Sequence, residues 1–457
     1  MNETIIAPTT TYGKSSLNVL RLSGENALKI ASKLTHKETS FFTPRHAFLL
    51  NVYFSDHSLL DTCIVIYFKA PHSYTTEDVI EFQCHGGTFI AQSLINECIS
   101  LGARLANPGE FTKRAFLGGR IDLSQAEAIA KLIEIQNITA HKMLMRHLKG
   151  EMQDFCESLR TQLITILAHS EVFIDYADED LPSNLVENLN QNLDKILRTL
   201  SNLLEQSQQK YMLLSGIKLC IIGKPNVGKS SLLNALLRKN RAIISDIAGT
   251  TRDSIEENFL LGGHLLKLID TAGIRESEDI IEKEGIKRSI QNAKESDLLL
   301  ALFDYSKPLE DEDRKIISLL QEYKNEKKIL VLINKTDLEK KLDMDMLKIF
   351  NPLFLSLKEE NKEDKNSSLS LFKQKLESIL NTQEENEALL LTSQHQFQAV
   401  NSCITALKEA KIPLENGELE IFSFHINEAI KAIASITKPY EYSQMLDVMF
   451  GDFCLGK

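Results

Sequence analysis

Apolar residues recur at helical spacing through a long middle part of the chain. From Leu185 onward, leucine and isoleucine return every three or four residues, which is the spacing of one buried face of an α-helix. Glycine is nearly absent across the stretch 123–211, where Gly150 is the only one. Acidic residues and a proline at 175–182 interrupt the pattern, so we predict two long helices separated there.

The parts before and after this stretch show other patterns. Residues 1–118 alternate short apolar runs with turn-forming Gly, Pro and Asn, which predicts a small α/β domain. Residues 217–380 open with an apolar run and a glycine-rich turn and then alternate strand and helix patterns, as in a parallel sheet wound with helices. A helical pattern returns after Asn381. We predict an N-terminal α/β domain at 1–118, an all-helical domain in two parts at 119–212 and 381–457, and an inserted doubly wound domain with a mainly parallel sheet at 213–380.

The charge distribution supports joining the two helical parts into one domain. The 457-residue chain carries 52 basic and 63 acidic side chains, a net charge of −11. In chain order, the four predicted segments carry net charges of 0, −5, 0 and −6, so the excess lies on the helical parts alone. An acidic chain is unsuited to binding nucleic acid by itself, because that task needs many Lys and Arg facing phosphates. Nucleic acid held through a partner stays possible.

Seven cysteines are scattered along the chain with no C-x-x-C pair, so the sequence predicts neither a zinc site nor a disulfide framework. This usage fits a reducing compartment, and we predict a soluble, cytoplasmic protein. The first residues lack the basic and apolar regions of a signal peptide, and no apolar run approaches the ~18 residues that cross a bilayer.

The most specific motif is G-x-x-x-x-G-K-S at 223–230, which follows an apolar run at 217–222 and opens a helical pattern. Its glycines let backbone N–H groups surround phosphate, and the helix N-terminus adds a positive dipole. The lysine of such a motif reaches the β- and γ-phosphates, and the serine hydroxyl binds magnesium. The predicted contacts are Asn226, Val227, Gly228, Lys229, Ser230 and Ser231.

Two further motifs follow in the order expected of a guanine-nucleotide site. D-x-x-G at 270–273 places a carboxylate near magnesium and an N–H near the γ-phosphate. N-K-x-D at 334–337 ends an apolar run, and its aspartate can accept from N1–H and the amine of guanine, a pattern that adenine lacks. The predicted contacts are Asp270, Thr271, Ala272 and Gly273 at the phosphates, and Asn334, Lys335, Asp337 and Ser356 at the base.

A first switch segment is predicted at Gly-Thr-Thr-Arg-Asp, residues 249–253, with Thr251 as a magnesium ligand beside Ser230 in the triphosphate state. Many GTPases orient the attacking water with a glutamine directly after D-x-x-G, but this chain has Ile274 there. Acidic residues at 276–284 are the other candidates, although each one alone also fits a solvated helix face. The predicted contacts in this switch are Gly249, Thr250 and Thr251, and the predicted contacts just before it are Ser245, Asp246, Ile247 and Ala248.

Together with motifs outside the nucleotide site, this pattern resembles the MnmE (TrmE) family of tRNA-modification GTPases along essentially the whole chain. The matching stretches are Gly-Thr-Thr-Arg-Asp at 249–253, Pro-Gly-Glu-Phe-Thr-Lys-Arg-Ala-Phe at 108–116, the stretch 122–127, and the terminal Phe-Cys-x-Gly-Lys. The resemblance implies an N-terminal folate-binding-like domain, a helical domain and an inserted P-loop GTPase domain.

The resemblance also implies a potassium-stimulated GTPase whose nucleotide domains associate face to face. Potassium would be coordinated by Asn226, Ser245, Ile247 and Thr250, next to the phosphates, where it adds positive charge as the β–γ bond breaks. The family's water-orienting glutamate falls on Glu282, which fills the role left open at Ile274.

For the N-terminal domain, the resemblance implies a tetrahydrofolate site and a homodimer. The pocket contacts map to Arg21, Glu81, Arg120 and the terminal Lys457. A carboxylate that accepts from the pterin N–H edge, and cations that meet carbonyl or carboxylate groups, suit this ligand. Cys454 is implied as a thiol near the site with a part in the chemistry; a structural role for a small tail residue is the alternative.

The function implied by the resemblance is addition of a carboxymethylaminomethyl or aminomethyl group to carbon 5 of the wobble uridine of certain tRNAs. A flavoprotein partner of the MnmG (GidA) family would bring FAD and NADH, since this chain has no dinucleotide-binding fingerprint, and the two would form a heterotetramer. GTP, magnesium, potassium and a tetrahydrofolate derivative would serve this chain. Two alternatives stay open: an RNA-associated assembly or signalling GTPase without modification chemistry, and a folate-dependent transferase that needs no flavoprotein.

Overall fold

A computed structural model of the chain divides into two compact units. It describes residues 3–11, 13–135, 138–175, 183–240, 257–261, 264–269, 292–358, 368–380, 389–438, 450–451 and 456. One unit is built from Met1–Glu134, Leu144–Leu204 and Leu391–Lys457, and the other from Ile135–Met143 and Glu205–Leu390. Parts of the sequence that are far apart therefore fold together. The finer segment boundaries at 118, 212 and 380 stay a prediction.

The chain begins with a six-stranded sheet. Its strands are β1 (Ile5–Pro8), β2 (Leu17–Ser23), β3 (Ala47–Tyr53), β4 (Leu59–Phe68), β5 (Val79–His85) and β6 (Arg104–Leu105), and its helices are α1 (Ala27–Thr35), α2 (Thr88–Ser100) and α3 (Glu110–Leu117). The strand order is β3-β4-β5-β2-β1-β6. Neighbours are antiparallel except for the short parallel pair of β1 and β6. This part of the chain has the predicted α/β character.

Side chains alternate across each strand, so this sheet has two different faces. One face carries Leu20 and Phe82, which are buried with Ile30 of α1 and Leu94 of α2 in the main core of the domain. The residues next to them in sequence point the other way, and among these Arg21 and Glu81 lie directly opposite each other in the β2–β5 pairing. The alternation therefore places the side chains of Arg21 and Glu81 on the face of the sheet opposite to the main core.

Helices follow the sheet: α4 (Leu123–Glu134), α5 (Ile138–Leu148), α6 (Glu151–Asp175) and α7 (Ser183–Ser215). Gly150 lies between α5 and α6 with a φ of 86°. That left-handed conformation costs glycine little and commonly ends a helix. Gly150 therefore separates α5 from α6, although the spacing of apolar residues alone predicts one continuous helix there. Helix α6 ends at Asp175 and α7 begins at Ser183, on either side of the break that the sequence predicts at 175–182.

The second unit holds another six-stranded sheet. Its elements are β7 (Ile217–Ile222), α8 (Lys229–Asn240), β8 (Glu257–Leu261), β9 (His264–Leu268), β10 (Leu298–Asp304), α9 (Asp311–Tyr323), β11 (Lys328–Asn334), β12 (Leu353–Phe354) and α10 (Ser368–Leu380). The strand order is β12-β11-β10-β7-β9-β8. The pairings are parallel except for β8 with β9 at one edge. The prediction of a mainly parallel, doubly wound sheet is confirmed.

Helices bury both faces of this second sheet, as parallel sheets require. Every residue of β10 is buried. Leu300 packs in one core cluster with Leu232 of α8 and Phe372 of α10, whereas Leu299 packs in a second cluster with Ile317 of α9. The apolar run of the sequence is therefore split between two cores, and the polar residues that end the strands are left at the sheet edge.

The chain then returns to the first unit as α11 (Gln394–Asn416) and α12 (Leu419–Ser435). Helix α12 packs against both α11 and α6. The hydroxyls of Ser170 and Ser423 lie 3.0 Å apart and join α6 to α12, and an ion pair between Lys411 and Asp194 joins α11 to α7. Helices from both sides of the nucleotide unit in sequence thus form one bundle. No helix in the described ranges combines the length and apolar character needed to cross a membrane.

A buried polar network ties the start of α11 to α4. Gln396 Nε2 donates to Glu127 Oε2 at 2.8 Å, while Gln396 Oε1 accepts the backbone N–H of Thr392 at 2.8 Å. Lys131 Nζ donates to the carbonyl oxygen of Thr392. Burial raises the pKa of Glu127 to about 7, although Ser393, Lys131 and Gln396 act in the opposite direction. The ionised form of Glu127 is therefore costly in the folded chain.

We expect Glu127→Gln to make the stability of the helical bundle less dependent on pH. An acid whose pKa is raised on folding stabilises the fold below its unfolded pKa, and this contribution is lost as the pH rises through the folded pKa of about 7. At about 1.4 kcal/mol per pKa unit, the rise from 4.5 to about 7 corresponds to a loss of roughly 3–4 kcal/mol. The wild type should therefore lose stability relative to the variant between about pH 5 and about pH 8.

Thermal unfolding followed by circular dichroism at the two pH values measures this difference. Glu157→Gln is the matched control, because the Glu157 side chain on α6 is 46% exposed. Parallel pH profiles for wild type and Glu127→Gln would contradict the expectation.

Candidate functional site

The phosphate-binding motif lies at the carboxyl-terminal edge of the parallel sheet. Strand β7 ends at Ile222 and α8 begins at Lys229, so residues 223–228 form the loop between them. Open α/β sheets bind ligands at this edge, and the N-terminus of α8 directs N–H groups and a positive dipole to it. Asn226 and Gly228 take left-handed conformations, with φ values of 62° and 106°. These two residues turn the backbone within the loop.

Lys229 is held inside the loop by carbonyl groups. Its Nζ donates to the carbonyl oxygens of Gly223 and Lys224 at 2.6 and 2.8 Å. Burial lowers the pKa of Lys229, and the nearby charge of Glu312 opposes this only in part. An ammonium group has three donors, so the two carbonyl contacts leave one N–H for a phosphate oxygen. Ser230 and Ser231 follow in the first turn of α8 and are exposed.

Asn334 joins the phosphate-binding loop to the base-recognition motif. Its Nδ2 donates to the carbonyl oxygen of Val227 at 2.8 Å, and its Oδ1 accepts the backbone N–H of Leu357 at 3.3 Å. The Asn334 side chain is buried. Gly228 lies directly beneath it, since a Cβ at that position would be 2.3 Å from Asn334 Nδ2. The glycine is needed here for close approach as well as for its backbone conformation.

The predicted base-contacting residues lie together beside this amide. Ser356 Oγ donates to Asp337 Oδ1 at 2.8 Å. Asp337 is exposed and Ser356 is buried, so the serine orients a carboxylate that stays open to a ligand. Lys335 has a φ of 65°, and its Nζ lies 2.6 Å from Asp304 Oδ2. The arrangement can present a fixed carboxylate to two neighbouring N–H donors, as guanine offers.

Sequence reasoning missed Lys224 and its acidic partners. Lys224 is 8% exposed, and its Nζ lies 2.6 Å from Asp313 Oδ2 and 2.9 Å from Glu310 Oε2. The partners belong to the start of α9, far along the chain, and no local spacing indicates the contact. Only the occurrence of a second lysine within the motif could have drawn attention to it.

The remaining predicted residues of the nucleotide site and tail lie outside the described residues. Among the described residues, no group of three or more His, Cys, Asp or Glu side chains is placed to hold a metal ion. The predicted roles of the undescribed residues therefore rest on the sequence. They are Ser245, Asp246, Ile247, Ala248, Gly249, Thr250, Thr251, Asp270, Thr271, Ala272, Gly273, Glu282, Cys454 and Lys457.

A second cluster forms on the N-terminal sheet around the Tyr74 ring. Arg21 Nε donates to Glu81 Oε1 at 3.0 Å, and each of these side chains is 18% exposed. The guanidinium carbon of Arg21 lies 4.9 Å from the centre of the Tyr74 ring, and that of Arg120 lies 5.4 Å from it. Arg120 also donates to the carbonyl oxygen of Ser73. The structure thus brings Arg21, Glu81 and Arg120 together, and Tyr74 is a member that the sequence did not indicate.

The end of the chain returns to this sheet. Gly456 has a φ of 91°, and a Cβ there would lie 2.0 Å from the carbonyl oxygen of Pro8. Pro8 ends β1, whose preceding residue Ala7 pairs with Arg21. Gly456 therefore lies beside the strand that neighbours Arg21, and only glycine fits at the contact.

Comparison with known proteins agrees with the motifs. The family described as GTP-binding protein TrmE N-terminus matches residues 4–120, and the MnmE helical domain matches residues 123–454. A relative from Sulfurovum sp., named tRNA modification GTPase MnmE, is 49% identical over 457 residues, which cover 100% of this chain and 99% of the relative. The chain belongs to the MnmE family. The resemblance inferred from the sequence is confirmed.

Another member of the MnmE family, from Wolinella succinogenes and also named tRNA modification GTPase MnmE, is 51% identical over 455 residues, covering 100% of this chain and 98% of that protein. Among solved structures, the FeoB G-domain from Methanococcus jannaschii is 24% identical, covers 36% of this chain and 97% of its own, and has a TM-score of 0.24.

We expect Gly228→Ala to weaken guanine-nucleotide binding strongly. The added Cβ would lie 2.3 Å from Asn334 Nδ2, on a backbone with a φ of 106°, so either the loop or the asparagine must move. A loss of at least about tenfold in GDP affinity is expected, which corresponds to about 1.4 kcal/mol.

Isothermal titration calorimetry with GDP measures this effect. Gly102→Ala is the control, because Gly102 has a φ of 103° but no atom within 4 Å of the added Cβ. Equal GDP affinities for the two variants would show that the close approach to Asn334 is unimportant.

Proposed function

We propose that this chain is a GTPase that acts in tRNA modification. The observation that carries the proposal is the meeting of Val227, Asn334 and Asp337 at one sheet edge. It occurs in a chain 49% identical, along its whole length, to a protein named tRNA modification GTPase MnmE. Lys229 and the α8 N-terminus would bind the phosphates, and Asp337 would select guanine. Ser230, and Thr251 in the triphosphate state, would hold magnesium.

Hydrolysis requires an oriented water and added positive charge at the phosphates. Glu282 would orient the water, since Ile274 replaces the glutamine that many GTPases use. Asn226 is exposed within the phosphate-binding loop, where its side-chain oxygen suits an alkali cation. With Ser245, Ile247 and Thr250, it would hold potassium, which supplies positive charge to the transition state.

We expect hydrolysis to depend on potassium and on Glu282. Replacing potassium by sodium should slow turnover strongly, because the smaller ion does not suit a site built for potassium. Glu282→Ala should keep GTP binding and lose most hydrolysis, since its predicted role is with the water alone. Phosphate release at saturating GTP measures both effects, and Glu284→Ala is the neighbouring control. Near-normal turnover of Glu282→Ala would show that Glu282 does not orient the water. Equal rates in potassium and sodium would show that hydrolysis does not depend on potassium.

The cluster around Tyr74 suits a tetrahydrofolate derivative. Such a ligand has a flat pyrimidinone ring with an N–H edge, and the cluster offers a half-buried carboxylate, two guanidinium groups and an aromatic ring. Glu81 would accept from the N–H edge, and Arg21, Arg120 and Lys457 would meet carbonyl or carboxylate oxygens. When bound, the folate would supply the one-carbon unit. Cys454, two residues before Gly456 in the sequence, would take part in the chemistry.

The modification would place a carboxymethylaminomethyl or aminomethyl group on carbon 5 of the wobble uridine of certain tRNAs in the cytoplasm. A flavoprotein partner of the MnmG (GidA) family would hold FAD and NADH and form a heterotetramer with a homodimer of this chain. Leu49 on the edge strand β3 is 71% exposed and pairs with the half-buried Ile64 of β4, and a dimer of the N-terminal domain would cover this apolar pair. The acidic charge of this chain favours the partner, or local basic patches, as the main tRNA contact.

We expect Gly456→Ala to abolish tetrahydrofolate binding and modification while leaving GTP hydrolysis nearly unchanged. The added Cβ would lie 2.0 Å from the Pro8 carbonyl oxygen at a φ of 91°, so the tail must leave β1. Gly451→Ala is the control, because nothing lies within 4 Å of its added Cβ. The measurements are 5-formyl-tetrahydrofolate binding by the full chain, and mass spectrometry of wobble nucleosides from a deletion strain carrying each variant.

The folate-binding and nucleoside measurements, together with a modification assay on the purified chain, decide between the functional alternatives. A deletion strain with normal wobble nucleosides and a chain that binds no folate would favour an assembly or signalling GTPase. Modification by the purified chain without flavoprotein would favour the transferase that acts alone.

A further inference from the structure

One short stretch of the nucleotide unit contacts both ligand-binding loops. Residues 304–313 connect the end of β10 to the first turn of α9. One end pairs with Lys335 of the base-recognition motif, and the other pairs with Lys224 of the phosphate-binding loop. We name this stretch the 304–313 bracket.

At the base end, Asp304 has both carboxylate oxygens engaged. Its Oδ2 accepts from Lys335 Nζ at 2.6 Å, and its Oδ1 accepts from the N–H and hydroxyl of Ser306 at 2.9 and 2.7 Å. The Asp304 side chain is only 3% exposed. The backbone N–H of Tyr305 donates to the Asn334 carbonyl oxygen at 2.9 Å. The bracket thus holds the first two residues of the N-K-x-D motif, one through its side chain and one through its backbone.

At the phosphate end, Asp313 performs the matching task. Its Oδ2 lies 2.6 Å from Lys224 Nζ and also accepts the Glu310 backbone N–H at 2.9 Å, which closes the capping box of α9. Asp313 is 4% exposed, whereas Glu310 is 61% exposed. The buried pair is therefore the anchor, because solvent weakens the exposed one. The carbonyl oxygen of Lys224 in turn accepts a hydrogen bond from Lys229 Nζ at 2.8 Å. The lysine that Asp313 anchors therefore contacts the phosphate-binding lysine directly.

We propose that the 304–313 bracket fixes the distance between the phosphate-binding and base-recognition loops, with Asp304 positioning Lys335 and Asp313 positioning Lys224 for a guanine nucleoside di- or triphosphate. The inference rests on the proposed GTPase function, since it concerns the same site. Removing either carboxylate leaves a lysine without its buried counter-charge, so that loop shifts while the other loop stays in place.

The test measures the release of methylanthraniloyl-GDP from the full chain by stopped-flow fluorescence. Asp304→Asn and Asp313→Asn should each speed release by at least about tenfold. The matched control is Asp345→Asn, which breaks a Lys–Asp pair of the same unit at 2.8 Å between side chains that are 68% and 79% exposed. The control should release the nucleotide at the wild-type rate.

A role in folding alone predicts a different result. It would lower the melting temperature of the nucleotide-free protein and leave the release rate of the folded molecules unchanged, which would overturn the proposal. Should Asp313→Asn fail to fold, Lys224→Gln removes the same ion pair from its other side. We expect a comparable acceleration, and a wild-type release rate would overturn the proposal.

The wild type separates this inference from the function on which it rests. A wild-type chain that binds no methylanthraniloyl-GDP would refute the GTPase function and the bracket with it. Binding by wild type, with wild-type release from both aspartate variants, would refute the bracket alone.

Discussion

The hydrogen bond from the Asn334 side-chain amide to the Val227 carbonyl oxygen is the contact on which the nucleotide site depends. It spans from the end of β11 to the loop after β7, although β10 lies between those strands. Both groups are buried, and a buried amide that loses its partner costs the desolvation of that group, about 1–3 kcal/mol. Apolar packing tolerates small displacements of a loop, whereas this bond does not. This polar contact therefore constrains the separation between the phosphate and base contacts directly, in addition to the proposed 304–313 bracket.

Three lysines near this hydrogen bond, Lys224, Lys229 and Lys335, have different hydrogen-bond and ion-pair partners. Lys224 and Lys335 are matched by buried carboxylates of Asp313 and Asp304, and hydrogen bonds from Lys335 and Ser306 keep the pKa of Asp304 below its ordinary value against the opposing effect of burial. Lys229 is held by two carbonyl oxygens and has no carboxylate among those contacts. Of the three cations, Lys229 therefore gains most from an incoming phosphate. The carboxylates of Asp313 and Asp304 neutralise the other two lysines, so those lysines attract phosphate less strongly and repel Lys229 less strongly.

What the sequence could predict depends on how locally each feature is encoded. Strand and helix periodicity, and motifs that carry their own geometry, gave the parallel sheet and the meeting of Asn334, Asp337 and Ser356, because parallel strands place their carboxyl ends at one edge. The pairing of Lys224 with Asp313, and the Tyr74 ring between two arginines, join positions with no shared spacing, so no pattern indicates them. Gly150 lies between these two cases. The sequence shows a single glycine in a helical stretch, but only its left-handed backbone shows that α5 ends and α6 begins there.

The tail shows how the first unit closes on itself. The backbone N–H of Leu123, at the start of α4, donates to the Thr437 carbonyl oxygen at 3.1 Å, and Phe450 packs with Leu123 and Phe116. Gly456 then meets Pro8 beside the strand of Arg21. Farther along α4, Glu127 accepts from Gln396, close to where the chain enters the unit at Leu391. One helix therefore contacts both the segment that leaves the nucleotide unit and the segment that leads to the tail. Glu127 and Leu123, four residues apart on α4, therefore link the hydrogen bond of Gln396 to the packing of Phe450 within the first unit.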